Sequence, residues 1–138
     1  FELLANNPFA LADTAVDEFI RFDAPLHLFE RTATADVEIG GVLVKEGQKI
    51  ASLLGSANRD ESVFENPTEM DITRDPNPQI GFGAGIHFCI GAPLARMEMS
   101  TSLPALMVKF PKLRMAEKPI RRPGFVLRGY ESVMVTHE

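Results

Sequence analysis

The sequence predicts an α+β fold. Three observations lead there. Ala15, Phe19 and Phe22 give residues 12–22 a helical apolar spacing. Residues 32–54 concentrate β-branched and apolar side chains around Gly40-Gly41, a hairpin signal. A glycine-rich run from Phe82 to Gly91 holds the only cysteine, Cys89, and leads straight into a second helical pattern with Pro93 in its first turn.

Composition bounds the reading. The 138 residues suffice for one modest core, and a hydrophobic content of 45% excludes wholesale disorder. A net charge of −5 argues against a nucleic-acid footprint. No apolar run approaches the roughly 20 residues of a membrane span, and no signal peptide is visible. One cysteine allows no internal disulfide and fits a reducing compartment. The expected location is the cytoplasm. Because the chain opens at Phe1 instead of methionine, it reads as a fragment, and N-terminal targeting stays open.

In chain order, Phe1–Ala5 reads as the tail of a helix stopped by Asn6-Asn7-Pro8. A helix over Ala12–Phe22 follows, with Asp13 and Thr14 as capping candidates. Glu18 and Arg21 stand three apart on it and share a face, a spacing that by itself reads as a surface ion pair. Pro25 ends the helix, and Leu26–Phe29 is extended. Strands are expected over Thr32–Ile39, Val42–Val44 and Lys49–Leu54, and a short capped helix over Ser56–Asp60. Residues 63–78, with Pro67, Pro76 and Pro78, are irregular.

The helix after the cysteine is expected over Ile90–Ser102. Phe88, Leu94, Met97 and Thr101 would face inward, and Arg96 and Glu98 would form its polar side. Pro104 should kink or end it near Leu103, with a short continuation to Lys109. Leu113–Met115 and a basic loop over Lys118–Arg122 come next, with Arg121-Arg122 read as a solvated face that a redox partner could also use. Two extended runs, Gly124–Leu127 and Val133–Thr136, suggest a closing hairpin around Gly129.

The cysteine run carries the chemistry. A thiolate just before a helix N-terminus lies in the positive end of the helix dipole, beside backbone N–H donors. Gly83 and Gly85 let the backbone turn sharply and lie flat against something bulky. His87, two residues before the sulfur, is placed to bind a charged edge of the same ligand. A lone thiolate cannot build a zinc or iron–sulfur site, but it can be the single protein ligand of a haem iron. The alternative is a buried, inert cysteine in a glycine-rich turn.

Phe82-Gly83-Ala84-Gly85-Ile86-His87-Phe88-Cys89-Ile90-Gly91 resembles the haem-binding signature of the cytochrome P-450 monooxygenases, Phe-Gly-x-Gly-x-His-x-Cys-x-Gly, at every fixed position. Glu18-Phe19-Ile20-Arg21, followed by Pro25, resembles the family's Glu-x-x-Arg motif, and Asn58-Arg59-Asp60 a further family run. Leu94-Ala95-Arg96 after the cysteine is bacterial in style. The resemblance runs from Glu18 to the final hairpin and covers the last third or so of a family member.

That resemblance implies the C-terminal part of the mainly α cytochrome P-450 fold, with small β-sheets, the cysteine-ligand loop and the helix after it. Residues 1–138 would be a single such fragment. It implies haem b held through the Cys89 thiolate, with Arg31, Phe82, Gly83, His87 and Gly91 around it, and Arg31 and His87 on the propionates. Leu26, His27, Phe125 and Val126 match substrate-contacting positions. His27 facing solvent or a backbone group, and Phe125 and Val126 filling core, remain open. Glu18 and Arg21 would be a buried structural pair. Where the family commonly adds an arginine or histidine to that pair, this chain has Glu69, so Arg59 or Arg74 substitutes or the triad is incomplete.

The implied activity is insertion of one atom of O2 into a small organic substrate. NAD(P)H would supply the electrons through a ferredoxin or other redox partner, with no nucleic acid or membrane involved. The helix carrying the oxygen-activating acid and alcohol residues would precede Phe1. No catalytic residue is therefore assigned within 1–138, and the chain alone is expected to be inactive. A non-catalytic haem-binding module, or the remnant of a truncated gene, is the alternative.

Overall fold

The computed structural model describes residues 2–137; the expected helical start at Phe1 lies outside them. Helix α1 (Glu2–Asn6) is short, and α2 (Ala12–Phe22) has the predicted bounds. Neither Asp13 nor Thr14 caps α2. A backbone turn, Leu11 N–H to the Asn7 carbonyl at 3.1 Å, leads into the helix, and Thr14 Oγ1 donates back to the Leu11 carbonyl at 3.3 Å. The entry is set by main-chain bonds, so no side-chain cap is used.

The middle segment splits into two antiparallel pairs. Strand β1 (Leu28–Thr32) pairs with β4 (Lys49–Leu53), with Arg31 opposite Ile50. Strands β2 (Val37–Ile39) and β3 (Val42–Val44) form the predicted hairpin. Gly40 and Gly41 take φ of +57° and +79° there, the left-handed geometry that a two-residue hairpin needs. The single strand expected over Thr32–Ile39 is broken at 33–36. Asp36 turns the chain there by accepting from Lys45 Nζ at 2.7 Å and from the Glu46 N–H at 2.9 Å. Helix α3 (Leu54–Ala57) begins two residues before its expected start, leaving Asn58 as its buried C-cap.

Helix α4 (Ala92–Lys109) packs against α2. It continues through Pro104 to Lys109, so the proline does not end the helix near Leu103. The proline is fully buried, so ring burial offsets the hydrogen bond it removes. Leu94, Met97, Thr101 and Phe88 are exposed instead of inward-facing, because α4 turns Ala92 and Pro104 to the interior.

At the C-terminus β5 (Arg114–Met115) pairs with β8 (Val135–Thr136), and β6 (Ile120–Arg121) with β7 (Tyr130–Ser132). The two runs read as hairpin strands do not pair with each other. Residues 122–129 form a loop on β6 and β7, closed by the Arg122 N–H on the Gly129 carbonyl at 3.0 Å. Among the described residues the strands make four two-stranded sheets.

The interior has a polar centre. Glu18, Arg21 and Asn58 are fully buried beside Ala15, Val16, Leu54 and Phe64. Glu18 Oε1 accepts from Arg21 Nη2 (2.7 Å) and the Asp71 N–H (2.8 Å). Its Oε2 accepts from Arg21 Nε (2.7 Å), Asn77 Nδ2 (3.0 Å) and Arg74 Nε (3.2 Å). Arg21 also donates to the carbonyls of Asn58, Pro67 and Glu69. Burial alone would raise the Glu18 pKa. The Arg21 hydrogen bonds, the Asp71 N–H and the charges of Arg21 and Arg74 outweigh it and hold the carboxyl below its ordinary value. A buried ion pair is tolerated only when its remaining donors and acceptors are satisfied, and here the irregular segment 58–77 satisfies them.

Arg74 is the third member of this cluster. Arg59 goes elsewhere, donating to the Phe22 carbonyl at 2.8 Å and stacking on the Phe22 ring. Glu69 contributes only its main-chain carbonyl; its side chain is exposed.

Candidate functional site

The Cys89 loop is closed by its own backbone. Cys89 N–H donates to the Phe82 carbonyl at 2.9 Å, and Phe88 N–H to the Gly85 carbonyl at 3.0 Å across a 3₁₀ turn, Gly85–His87. Gly83 and Gly85 take φ of +76° and +66°, so the turn depends on glycine at both. The Ala92 N–H bonds the Cys89 carbonyl at 3.1 Å, and Gly91 is the N-cap of α4. Cys89 thus sits immediately ahead of α4, as the sequence predicts, and it is exposed, which removes the buried, inert alternative.

Two close approaches seat this loop. A Cβ on Gly81 would lie 2.5 Å from Ile20 Cγ2, and one on Gly83 would lie 3.1 Å from Phe29 Cε2. The loop therefore lies against α2 on one side and the start of β1 on the other. Arg96 locks it: Nε and Nη2 donate to Asp17 Oδ1 at 3.0 and 2.8 Å, while the guanidinium stacks 4.7 Å from the Phe82 ring centroid. Gln79 Nε2 donates to the same Asp17 oxygen at 3.0 Å, and Gln79 Oε1 accepts from the Gly81 N–H at 2.7 Å. The sequence reading missed Gly81, Asp17 and Gln79 in this role. Only Gly81, one residue before the signature, left any signal.

Arg31 and His87 are both exposed, with no hydrogen bond between them among the described residues. Arg31 donates to the Glu30 carbonyl at 2.8 Å and lies 5.3 Å from the centroid of Phe29, the ring that covers Gly83.

The expected substrate-contacting residues do come together. Leu26 bridges Leu127, the His27 N–H donates to the Val126 carbonyl at 3.0 Å, and the Arg128 N–H to the Pro25 carbonyl at 2.8 Å. Phe125 and Val126 are 69% and 45% exposed, so in this chain they do not fill core. His27 does not face open solvent: its ring lies against Gly55, and its Nε2 is buried with no hydrogen-bond partner among the described residues. Desolvation, then the charge of Arg128, lowers its pKa below the ordinary 6.5; Asp23 at 3.9 Å opposes this without reversing it.

Among the described residues no group of three or more His, Cys, Asp or Glu side chains lies placed to hold a metal ion. A metal at Cys89 would have the thiolate as its lone protein ligand. That donor set fits a haem: one exposed thiol, a glycine turn that keeps side chains off the ligand, exposed apolar neighbours Ile86, Phe88 and Ile90, and two exposed basic side chains, Arg31 and His87, for anionic edge groups. No helix among the described residues is long and apolar enough to cross a membrane.

The cytochrome P450 family model matches residues 7–131. The biotin biosynthesis cytochrome P450 of Bacillus subtilis (strain 168) is 43% identical over 136 residues, covering 98% of this chain and 34% of its own length. Nocardicin C N-oxygenase of Nocardia uniformis subsp. tsuyamanensis is 45% identical over 140 residues, with 97% and 35% covered. The crystal structure of P450BioI in complex with hexadec-9Z-enoic acid ligated acyl carrier protein superposes with a TM-score of 0.94 at 42% identity, covering 98% of this chain and 35% of that one. The chain spans about a third of the length of these relatives. On the family match, the identities and the superposition together, the chain belongs to the cytochrome P450 family, whose cofactor is a haem held through a cysteine thiolate.

Proposed function

We propose that this chain is the C-terminal, haem-ligating part of a monooxygenase. The enzyme inserts one oxygen atom of O2 into an organic substrate and reduces the other to water, with two electrons from NAD(P)H and two protons. A ferredoxin or other redox partner carries the electrons, and the reading places the enzyme in the cytoplasm. The observation that carries the proposal is the closed Phe82–Cys89 turn, which presents an exposed thiol directly ahead of α4.

The bound haem supplies oxygen activation, and a thiolate ligand favours O–O cleavage. The protein's own residues hold and orient. Cys89 provides the thiolate, and Gly83, Gly85 and Gly91 keep the backbone close. Arg31 and His87 bind the propionates, Arg31 with the planar fork that suits a carboxylate. Phe82, stacked by Arg96, sets the height of the loop. Leu26, His27, Phe125 and Val126 shape the substrate side. Glu18 and Arg21 are structural, fixing α2 behind the loop.

The ferrous carbon monoxide complex of the haem-loaded protein should show the thiolate-type band, and Cys89→His should replace it with an imidazole-type spectrum. A thiolate-type band kept by the variant overturns the assignment. Haem binding without substrate oxidation by the full-length enzyme that contains this chain, when ferredoxin, reductase and NAD(P)H are supplied, overturns the monooxygenase reading in favour of a non-catalytic haem module.

A further inference from the structure

Asp23 stands at the C-cap of α2, two residues beyond the buried Arg21, and its own N–H is spent on the Phe19 carbonyl. Its carboxylate is therefore carried at the end of a helix whose last turn holds the buried Arg21. Each oxygen faces a different arginine. Oδ2 accepts from Arg121 Nη2 at 2.6 Å, and Oδ1 lies 3.3 Å from Arg128 Nη2. Arg121 is on β6, just before the 122–129 loop, and Arg128 is near its end. One carboxylate thus bridges both stems of the loop whose tip presents Phe125 and Val126. Arg121 is further fixed by stacking on Tyr130, its cross-strand partner, at 4.7 Å. Arg121 is exposed, as the sequence reading of a solvated Arg121-Arg122 expects, and the structure adds its pairing with Asp23.

The loop tip has little else to hold it. Phe125, Val126 and Leu127 are all exposed. Beyond the charges, the main links to the facing segment are the bonds joining Val126 to His27 and Arg128 to Pro25, and the bridge from Leu127 to Leu26. Half-exposed ion pairs add little to global stability, so this arrangement's effect lies in placing the loop and not in holding the fold.

We propose that Asp23 is a positioning residue for substrate selection: by clamping Arg121 and Arg128 it holds Phe125 and Val126 against Leu26 and His27 and so sets the shape of the substrate site. The inference rests on the function proposed above, and its test separates the two.

The test compares wild type, Asp23→Asn and Asp23→Glu as haem-loaded proteins. Amide hydrogen exchange at His27 and Arg128 reads the loop directly and needs no activity. Exchange there should be faster in Asp23→Asn and return toward wild type in Asp23→Glu. Equal exchange in wild type and Asp23→Asn overturns the clamp, whatever the protein's chemistry. Titration with two haem-iron ligands, imidazole and 4-phenylimidazole, then reads the site. Asp23→Asn should weaken 4-phenylimidazole by roughly tenfold, the scale of one lost apolar contact in a pocket, and leave imidazole unchanged. Faster exchange with 4-phenylimidazole affinity unchanged overturns the selection role. A wild type that binds neither azole counts against the haem reading, while the exchange result still decides the clamp.

Discussion

Arg74 reaches Glu18 across 56 residues of chain, with Nε 3.2 Å from Oε2. The contact puts a second guanidinium on a carboxylate already paired with Arg21, and it joins the irregular segment 58–77 to α2.

Arg74→Met should lower stability by about 1.5 kcal/mol, the worth of one hydrogen bond to a charged group. Glu18→Ala should cost about 3–5 kcal/mol, because it leaves Arg21 charged and unpaired in the interior. Glu69→Ala should change stability by less than about 0.5 kcal/mol, since only the main chain of Glu69 takes part. Urea unfolding of the three variants checks the order. A Glu69→Ala loss as large as that of Arg74→Met would refute the assignment of the third member.

Glu18 also sets an acid limit. Its carboxyl is held below the ordinary value of 4.5, so the unfolded chain takes up this proton at a higher pH than the folded one. The stabilisation is complete above pH 4.5 and is lost as pH falls through the lower, folded value. Unfolding free energies measured from about pH 6 down to about pH 3 should fall more steeply in wild type than in Glu18→Gln, which has no proton to bind there. Parallel curves would show that the Glu18 proton is not responsible.

Gly81→Ala tests the seating of the cysteine loop. The added methyl would meet Ile20 Cγ2 at 2.5 Å and the Ile20 carbonyl at 3.1 Å, so backbone as well as side chain must give way. Overpacking of this kind costs about 1–3 kcal/mol. The expected outcome is a lower melting temperature together with reduced haem content. A melting temperature and haem content equal to wild type would mean that the loop does not depend on this contact.

Arg31→Ala and His87→Ala should each weaken haem retention by ~1–3 kcal/mol, the loss of one hydrogen bond to a charged group. Transfer of haem to an apoprotein acceptor measures this directly. Unchanged transfer rates in both variants would remove the propionate role.

The reading of the cysteine loop depended on local chemistry, which a sequence states openly. Gly83 and Gly85 were legible because positive φ is a property of one residue, and the bounds of α2 because apolar periodicity is local. The course of α4 through Pro104 was not legible. Whether a proline breaks a helix depends on what its ring is buried against, and that is a tertiary matter. The 122–129 loop was misread for a similar reason: short extended runs carry no record of which partner they pair with.

The sequence by itself determined that a single thiol stands ahead of a helix in a glycine turn, that Glu18 and Arg21 share a helical face, and that the whole is a mixed α and β chain. These follow from spacing and from conformational limits within a few residues. Only the tertiary structure decided that Arg74, and neither Arg59 nor Glu69, completes the buried pair, and that Asp23 bridges Arg121 and Arg128. Both answers come from side chains reaching across long stretches of chain, where several arginines of equal charge compete for each carboxylate and only packing selects among them.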